Sequence, residues 1–457
     1  MLPATREPRK CRIGVVLFAT MQDGHRRASP ARSAVLLALL LAVAGATYLY
    51  AGLGRAYLAA DDFQWLSYGH TFTFGQLVSQ IAGNRFYRPA IDLWFAAGAR
   101  VCDFNVPCLH FANLALHLVT VSLAFALALN VLDDLRIASM AALFFSLEPG
   151  YTQAVVWVSG VTGLLMTSCY LGSLFAQARS WSRSGIRRLA YEAVAAALFL
   201  VALLAHEAAI TLPVTSWILW RQFAPGPLSG RRFLVATLAA SVLLFAALTT
   251  LANHRNAVFT QSEYAFGAHM LRHGLDYIVS MYVGPSSWPA YSAVVLAVAC
   301  LVAATPATRF GALWLVVTML PYLGFTSGNV SRYLYLPSIG FSWAVAAALV
   351  QGTDWCSQRT AARARVTRAA IPAGLLLAAA FVAVRFLQFD LPSIRSQVAW
   401  TDPWRAYADD LVRATAPPTE GMVHVNMPPS DVVDPMYIGP LAHWVYQDYR
   451  LGVIVDR

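Results

Sequence analysis

Residues 108–131 read CLHFANLALHLVTVSLAFALALNV. The stretch holds no Asp, Glu, Lys or Arg, and about 20 apolar residues are enough for an α-helix to cross a bilayer. Similar apolar runs recur along the 457-residue chain. Because a helix satisfies its own backbone hydrogen bonds in lipid, the pattern predicts an all-α, polytopic protein embedded in a lipid bilayer.

The composition agrees with a membrane protein. Hydrophobic residues make up 58% of the chain and charged residues 12%, against about 25% charged residues in a soluble domain. The net charge of +10 could indicate nucleic-acid binding. Here the basic residues lie between the apolar runs, where they orient helices, so no nucleic-acid partner is expected. Cys102 and Cys108 are close enough in sequence to pair, but sequence alone does not establish a disulfide.

We predict about eleven spanning helices within a membrane domain of residues 33–388. Two of them, 136–148 and 208–220, are short for a bilayer and are expected to be tilted or partly re-entrant. The predicted spans are 33–54, 108–131, 136–148, 158–178, 189–206, 208–220, 231–251, 289–307, 310–326, 336–351 and 369–388.

Basic residues predict which way the chain threads. They cluster in the leader, residues 1–32, and in the segments after the fourth, sixth and tenth spans. With eleven spans all four segments fall on one side, which the positive-inside rule assigns to the cytoplasm. A small C-terminal region, 389–457, then lies outside. Arg-rich and Ala-rich usage, with Lys only at Lys10, is typical of a GC-rich bacterial genome and predicts a bacterial inner membrane.

This threading places the polar features on the outer face. They are the first outer loop, residues 55–107, and the stretches LEPGYTQ at 147–153, LAHEAA at 204–209 and SGNVSRYLYLPS at 327–338. Ionisable residues at membrane depth are costly and therefore mark candidate functional sites.

Asp61 and Asp62 stand side by side in the first outer loop. If both are buried, each raises the proton affinity of the other. One could then act as a general base while the other orients it or helps to hold a cation. The alternative is a solvated loop end in which an Asp caps the following helix.

Arginines supply the candidate anion-binding groups. Arg332 lies at the predicted outer end of span 336–351, and its planar guanidinium suits phosphate oxygens. Alternatively, it snorkels within an aromatic belt that includes Tyr333 and Tyr335. Arg85 and Arg88 allow the same two interpretations.

His206 and Glu207 lie between two apolar runs, where they could bind substrate hydroxyls or cap a helix end. Glu148 ends a short span and could contribute a carboxylate to a divalent cation, the only cofactor that the sequence indicates. His110 and His117 share one face of a predicted span and are expected to form core hydrogen bonds.

Five stretches, in this order, resemble a known family. The chain is similar to GT-C glycosyltransferases and, among them, to the membrane portion of the transmembrane, tetratricopeptide-repeat-containing O-mannosyltransferases and their bacterial relatives. The stretches are DDFQWL at 61–66, YRPAIDLWFAAGARVCDFNVPCLHFANLALHLV at 87–119, FFSLEPGYTQAVVWVSG at 144–160, HEAAITLPV at 206–214 and SRYLYLPSIGF at 331–341.

The resemblance implies transfer of a sugar from a polyprenyl-phosphate donor to a protein or glycan acceptor at the outer face. It makes Asp61 the favoured catalytic base, with Asp62 second. Arg332, with Arg88 as the weaker candidate, would face the leaving phosphate, while His206 and Glu207 would line the sugar pocket. The predicted substrate-binding residues are Arg88, His206, Glu207, Arg332 and Tyr335.

The chain departs from the family pattern at several positions, and no tetratricopeptide array follows the last predicted span. The departures are Glu148 for His, Gln153 for Glu, Val161 for Arg, Gly163 for Asp, His206 for Lys and Ser331 for Glu.

Three alternatives stay open. A transporter or flippase of a lipid-linked sugar would place polar residues deep in the spans and show internal repeats. A polysaccharide ligase or polymerase would use an outer loop rich in Arg and His, as at 252–288. The family departures allow a non-catalytic relative.

Overall fold

The fold is seen in a computed structural model of the chain. The predicted leader, Arg85 and the basic part of the 252–288 loop before residue 263 lie outside the residues that it describes. The described residues are 40, 42–47, 49–79, 86–224, 226, 231–253, 263–282, 286–326, 330–360, 365–414, 418, 421–426 and 433–456.

Helices form nearly all of the described chain. They are α1 (Asp61–His70), α2 (Phe74–Ser79), α3 (Pro89–Val101), α4 (Val106–Leu132), α5 (Leu135–Ser146), α6 (Thr152–Val156), α7 (Val161–Ser180), α8 (Gly185–Ala205), α9 (Leu212–Phe223), α10 (Arg232–Asn253), α11 (His269–Tyr282), α12 (Trp288–Ala304), α13 (Pro306–Met319), α14 (Tyr335–Thr360), α15 (Arg365–Ala399), α16 (Asp402–Ala414) and α17 (Ile438–Val445).

Several of these helices are long and apolar enough to cross a membrane, as expected for a multi-pass membrane protein. Two shorter apolar helices, α5 and α12, also coincide with predicted spans. The total of eleven spans stays a prediction. Within the described residues, the segments that meet the length and hydropathy of a span are Val106–Leu132, Val158–Ser180, Gly185–Ala205, Arg232–Ala252 and Ser331–Gln358.

Glycines permit a close contact between α13 and α14. A Cβ atom on Gly340 of α14 would lie 2.7 Å from the Gly311 carbonyl oxygen and the Leu315 nitrogen of α13. A Cβ on Gly311 would meet the Ala344 nitrogen at 2.6 Å. Small residues allow two helix backbones to approach closely in this way. The resulting van der Waals contacts stabilise helix association in lipid, where the hydrophobic effect does not drive it.

Polar groups gather at the two ends of the bundle. At one end, Arg136 at the start of α5 pairs with Asp354 near the end of α14 at 2.8 Å. Arg231 pairs with the buried Glu192 of α8 at 2.9 Å. At the other end, short 3₁₀ turns interrupt the helices, among them Pro149–Tyr151, Val158–Gly160, Glu207–Thr211, Leu320–Tyr322 and Ser331–Leu334.

The corner between α3 and α4 lies at the end with the 3₁₀ turns. Cys102 and Cys108, which the sequence left as a possible pair, form a disulfide across this corner. The Asn105 side chain caps α4 by accepting a hydrogen bond from the Cys108 nitrogen at 2.9 Å.

The C-terminal region adds a small two-stranded sheet to the otherwise helical fold. Strand β1 (Met422–Asn426) pairs in parallel with β2 (Gly452–Asp456), with Met422 opposite Gly452 and Asn426 opposite Asp456. Helix α17 connects the two strands, as a parallel pair requires a crossover. The predicted boundary between residues 388 and 389 falls inside α15.

This region packs against the segment that leads into α1. The Tyr57 nitrogen donates to the Thr401 hydroxyl at 2.9 Å, and the Arg405 guanidinium donates to the Arg55 carbonyl oxygen at 2.5 Å. The Phe63 ring of α1 lies 5.7 Å from the Trp404 ring. The residues before and within α1 are therefore held between the bundle and the C-terminal region.

Candidate active site

A cavity of about 400 Å³ lies where α1, the 3₁₀ turns and the loop before α11 meet. Most of the predicted site residues line it, although they come from four distant parts of the sequence. Its charged or titratable lining residues are Asp61, Arg88, His206, Glu207, Glu263 and Arg332. Its aromatic lining residues are Trp65, Tyr68, Phe86, Trp157, Tyr322, Phe325 and Tyr333.

The two acidic residues open α1 but occupy different environments. Asp61 lines the cavity, whereas Asp62 is fully buried. Neither is the N-cap, a position held by Ala60 with a φ of +52°. A left-handed φ is strained for alanine, at a cost of about 1–3 kcal/mol, and such strain is common at functional sites.

Asp62 ties α1 to the Val158–Gly160 turn. Its Oδ1 accepts hydrogen bonds from the Ser159 nitrogen at 2.7 Å and the Ser159 hydroxyl at 2.5 Å. Its Oδ2 accepts from the Ala59 nitrogen at 2.9 Å. Burial raises the pKa of Asp62 to about 7, although these hydrogen bonds oppose the rise. Asp62 thus fixes the cavity wall rather than facing the cavity.

Asp61 receives its hydrogen bond from the C-terminal region. The Tyr437 hydroxyl donates to Asp61 Oδ1 at 2.5 Å across 376 positions of sequence. Tyr437 belongs to a 3₁₀ turn, Pro435–Tyr437, just before α17. A cavity-facing carboxylate held in one orientation is suited to accept a proton from a bound hydroxyl.

Arg88 and Glu207 form a bidentate ion pair at the cavity wall. The guanidinium donates to Glu207 Oε2 at 3.1 Å and to Oε1 at 2.6 Å. Burial acts to raise the pKa of Glu207, but the Arg88 charge dominates and lowers it to about 2. Because Glu207 neutralises it, Arg88 is poorly placed to serve as the main phosphate ligand.

His206 is a neutral member of the cavity wall. Burial lowers its pKa to about 4, against the opposing effect of Glu207. Its Nδ1 accepts from the Ala208 nitrogen at 3.1 Å, so the neutral ring carries its proton on Nε2. His206 can therefore donate a hydrogen bond to a neutral group such as a sugar hydroxyl.

Arg332 is held by rings and an amide. Its guanidinium lies 4.9 Å from the centroids of both the Trp157 and the Tyr333 rings. It donates to Gln153 Oε1 at 3.3 Å. Among the described residues, no carboxylate lies within ion-pair distance of it. Arg332 is thus a cavity cation available to an anionic ligand.

Glu263 is a cavity residue that the sequence analysis missed. Its carbonyl oxygen accepts from the Thr326 nitrogen at 2.9 Å, next to an isolated bridge between Tyr264 and Phe325. This pairing brings the loop before α11 to the cavity. A lone Glu in an irregular loop carries no periodic or motif signal that could have identified it.

Two residues that the sequence analysis assigned to the site do not line the cavity. Tyr335 is 1% exposed, and its hydroxyl is 2.8 Å from His117 Nδ1 inside the aromatic core. The structure therefore corrects its assignment as a substrate-binding residue. Glu148 is also 1% exposed and accepts from the Gly150 nitrogen and the Ser338 hydroxyl, each at 2.9 Å.

These contacts leave Glu148 as a structural carboxylate away from the cavity. Over the described ranges, no group of three or more His, Cys, Asp or Glu side chains could hold a metal ion. A metal role for Glu148 stays a prediction, and no chemical step below uses a metal ion. The core role predicted for His110 is confirmed by its contact with the Val156 carbonyl oxygen at 2.9 Å.

No protein-family model matches the sequence, and no curated protein matches it. Among solved structures, the chain is similar to the apo oligosaccharyltransferase of Archaeoglobus fulgidus, with a TM-score of 0.52 and 13% identity. The likeness covers 94% of this chain and 65% of the other. The oligosaccharyltransferase AglB of the same organism, in complex with an inhibitory peptide and a dolichol-phosphate, gives a TM-score of 0.49 at 12% identity over 92% and 64% of the two chains.

The first of these likenesses shows the fold. The chain has an architecture similar to that of this oligosaccharyltransferase over most of its length, and its place among GT-C glycosyltransferases stays a prediction. The narrower resemblance to O-mannosyltransferases stays a prediction. The chain spans 65% of the length of that oligosaccharyltransferase, so its activity, substrates and partners are matters for proposal.

Proposed function

We propose that the protein is a GT-C-type glycosyltransferase that moves a hexose from a polyprenyl-phosphate donor to a hydroxyl of a protein or glycan acceptor at the outer membrane face. The observation that carries the proposal is one cavity that holds both the Asp61 carboxylate and the Arg332 guanidinium, which has no carboxylate partner in the described part of the chain. The oligosaccharyltransferase fold supports the same reaction class.

The reaction requires one bond to form at the anomeric carbon of the sugar and one to break. The acceptor oxygen attacks that carbon while its proton passes to Asp61, and the bond from the carbon to the phosphate oxygen breaks. A positioned base contributes typically about 10²–10⁴-fold to such a step. The result is an inverted sugar linkage, a protonated Asp61 and a free lipid phosphate.

Arg332 stabilises the departing lipid phosphate. Negative charge grows on the phosphate oxygen as its bond to the sugar breaks, and a preorganised cation at close range lowers the energy of that state. The Trp157 and Tyr333 rings keep the guanidinium in place without neutralising its charge. An ion-paired arginine such as Arg88 would first have to give up its carboxylate partner.

The remaining cavity residues suit a sugar. His206 and the Arg88–Glu207 pair offer hydrogen-bond donors and acceptors on one wall. The aromatic lining offers flat apolar faces for the C–H side of a sugar ring. Apolar walls with a few placed polar groups are typical of small-ligand sites.

The test uses wild-type protein in membranes, a panel of radiolabelled polyprenyl-phosphate hexoses, and two variants. Asp61→Asn removes the base, whereas Asp410→Asn makes the same change on the exposed face of α16. We expect the wild type and Asp410→Asn to transfer label at similar rates, and Asp61→Asn to transfer it at least about 100-fold more slowly. Equal rates in all three would refute the mechanism.

Two other outcomes would select an alternative function. Movement of intact lipid-linked sugar across vesicle membranes, without transfer, would identify a transporter. Donor binding without transfer or transport would identify a non-catalytic relative, consistent with Gly163 lining the cavity where the family has Asp.

A further inference from the structure

The C-terminal region reaches the proposed catalytic base through one side chain. The Tyr437 hydroxyl donates to Asp61 Oδ1 at 2.5 Å. Within the described part of the chain, no other donor makes a hydrogen bond to the Asp61 carboxylate. The second carboxylate oxygen is thus left for a ligand in the cavity.

Tyr437 is itself held rigidly. Its 3₁₀ turn begins at Asp434, whose Oδ1 accepts from the Met436 nitrogen at 3.0 Å. Its ring meets the Trp404 ring edge-on at 5.7 Å, and Trp404 lies equally close to Phe63 of α1. The phenol and the carboxylate are therefore fixed by the same packed aromatic unit.

The wider interface adds to this rigidity. Helix α17, directly after Tyr437, packs on α1, and its Ile438 and Leu441 are fully buried. The Thr401 and Arg405 contacts hold the segment just before α1 from the same side. The Tyr437 hydroxyl is thus placed by folded structure on both sides and not by a loose tail.

We propose that Tyr437 is a positioning residue for Asp61: its phenol holds one carboxylate oxygen so that the other faces the acceptor hydroxyl. The inference rests on the proposed transferase function. Burial and the nearby Asp61 charge raise the pKa of Tyr437 well above its ordinary value, so it stays a donor throughout the working range.

The hydrogen bond ties one carboxylate oxygen of Asp61 to the phenol of Tyr437. Other charges bear on Asp61 as well, so the contribution of Tyr437 must be isolated by removing its hydroxyl alone. The titratable and charged groups that face Asp61 or its partner are Asp62 on α1, Arg88, His206, Glu207, Glu263 and Arg332 around the cavity, and Asp434 beside Tyr437.

The kinetic test compares Tyr437→Phe with Tyr407→Phe. The control removes a hydroxyl in the same C-terminal region, where Tyr407 donates to the Asn426 carbonyl oxygen at 3.0 Å. We expect Tyr437→Phe to lower kcat about tenfold with little change in KM for the donor. A fall in kcat without a matching change in KM separates a positioning role from a loss of donor binding.

A second measurement tests the contact without any turnover. Protein labelled with ¹³Cζ-tyrosine gives a Tyr437 resonance, assigned by its loss in Tyr437→Phe. That resonance should shift in Asp61→Asn and stay in place in Asp410→Asn. An unshifted resonance in Asp61→Asn overturns the contact and the proposal, whatever the activity.

The remaining outcomes separate this inference from the proposed function. If the resonance shifts but Tyr437→Phe keeps the wild-type kcat, the positioning role is wrong and the transferase stands. If Asp61→Asn transfers as fast as the wild type, the proposed mechanism fails and this inference fails with it.

Discussion

The Arg332 guanidinium lies 4.9 Å from the Trp157 ring centroid, and the Trp157 indole N–H donates to the Ala59 carbonyl oxygen at 3.0 Å. One tryptophan therefore links the candidate phosphate ligand to the residue two positions before Asp61. The contact ties the cationic side of the cavity to the segment that carries the carboxylate.

Replacing the cation should impair use of the donor. We expect Arg332→Gln to lower kcat/KM for a polyprenyl-phosphate hexose about 100-fold, because the leaving phosphate loses its cation. Arg332→Lys should recover part of the loss, since it restores charge without the planar fork. The exposed Arg413→Gln serves as control. If Arg332→Gln has wild-type kinetics, Arg332 does not stabilise the leaving phosphate.

The buried Asp62 should make stability depend on pH. Its folded pKa is about 7, raised from an ordinary value of 3.8, so the folded protein binds this proton more tightly than the unfolded chain. Its favourable contribution is complete below about pH 4 and disappears as the pH rises through about 7. The thermal unfolding midpoint of the wild type should therefore fall as the pH rises through this range.

Asp62→Asn removes this titration but also places an amide N–H₂ against a backbone donor. We expect a lower thermal midpoint at pH 5 and a flatter dependence between pH 5 and 8 than in the wild type. Asp410→Asn should follow the wild-type curve. Parallel curves for the wild type and Asp62→Asn would show that Asp62 does not titrate in this window.

The Arg88–Glu207 pair should show strong energetic coupling. Glu207→Gln leaves the Arg88 guanidinium, 14% exposed, without its counter-charge. A double-mutant cycle with Arg88→Gln is expected to give a coupling energy of about 1–3 kcal/mol. The exposed Arg413–Asp410 pair should give about 0.5 kcal/mol or less. Additive effects at 88 and 207 would contradict the bidentate contact.

The Arg88–Glu207 pair also predicts a pH dependence of stability, opposite in sign to that expected from Asp62. The pKa of Glu207 is lowered to about 2, so its contribution to stability is present above about pH 4.5 and lost as the pH falls towards 2. Wild-type protein should lose more stability than Glu207→Gln between pH 5 and 3. The prediction is tested by measuring the thermal unfolding midpoints of both proteins in detergent at pH 5 and pH 3.

The glycine contact between α13 and α14 should tolerate no side chain. Gly340→Ala would place a methyl group 2.7 Å from α13 backbone atoms and is expected to cost about 1–3 kcal/mol. Gly352→Ala lies on the same helix with no atom within 4 Å and should be neutral or slightly stabilising. Equal thermal midpoints for both variants would argue against the close crossing.

Sequence patterns predicted the parts of this protein that local chemistry determines. Apolar runs identified α4, α7, α8 and α14, because length and hydropathy are local properties. The polar breaks around Asp61, His206 and Arg332 were recognised since each interrupts or ends an apolar run. The structure gathers them around one cavity.

What the sequence did not predict depends on tertiary contacts. Tyr437 reaches Asp61 from 376 residues away, and Glu263 reaches the cavity through a single bridge to Phe325. Tyr335, next to the arginine segment, was assigned to the site although α14 turns it into the core. Tyr335 was assigned to the site because it is near Arg332 in the sequence. Tyr437 was not identified because it is far from Asp61 in the sequence.

The long separation between Asp61 and Tyr437 has a consequence for biosynthesis. Asp61 leaves the ribosome and α1 can form well before Tyr437 has been made, while α4 to α15 are still to be synthesised. During that interval the proposed base lacks its tyrosine partner and the packing of α16 and α17. A nascent chain therefore carries an unfinished site, and the site is completed only when the C-terminal region docks.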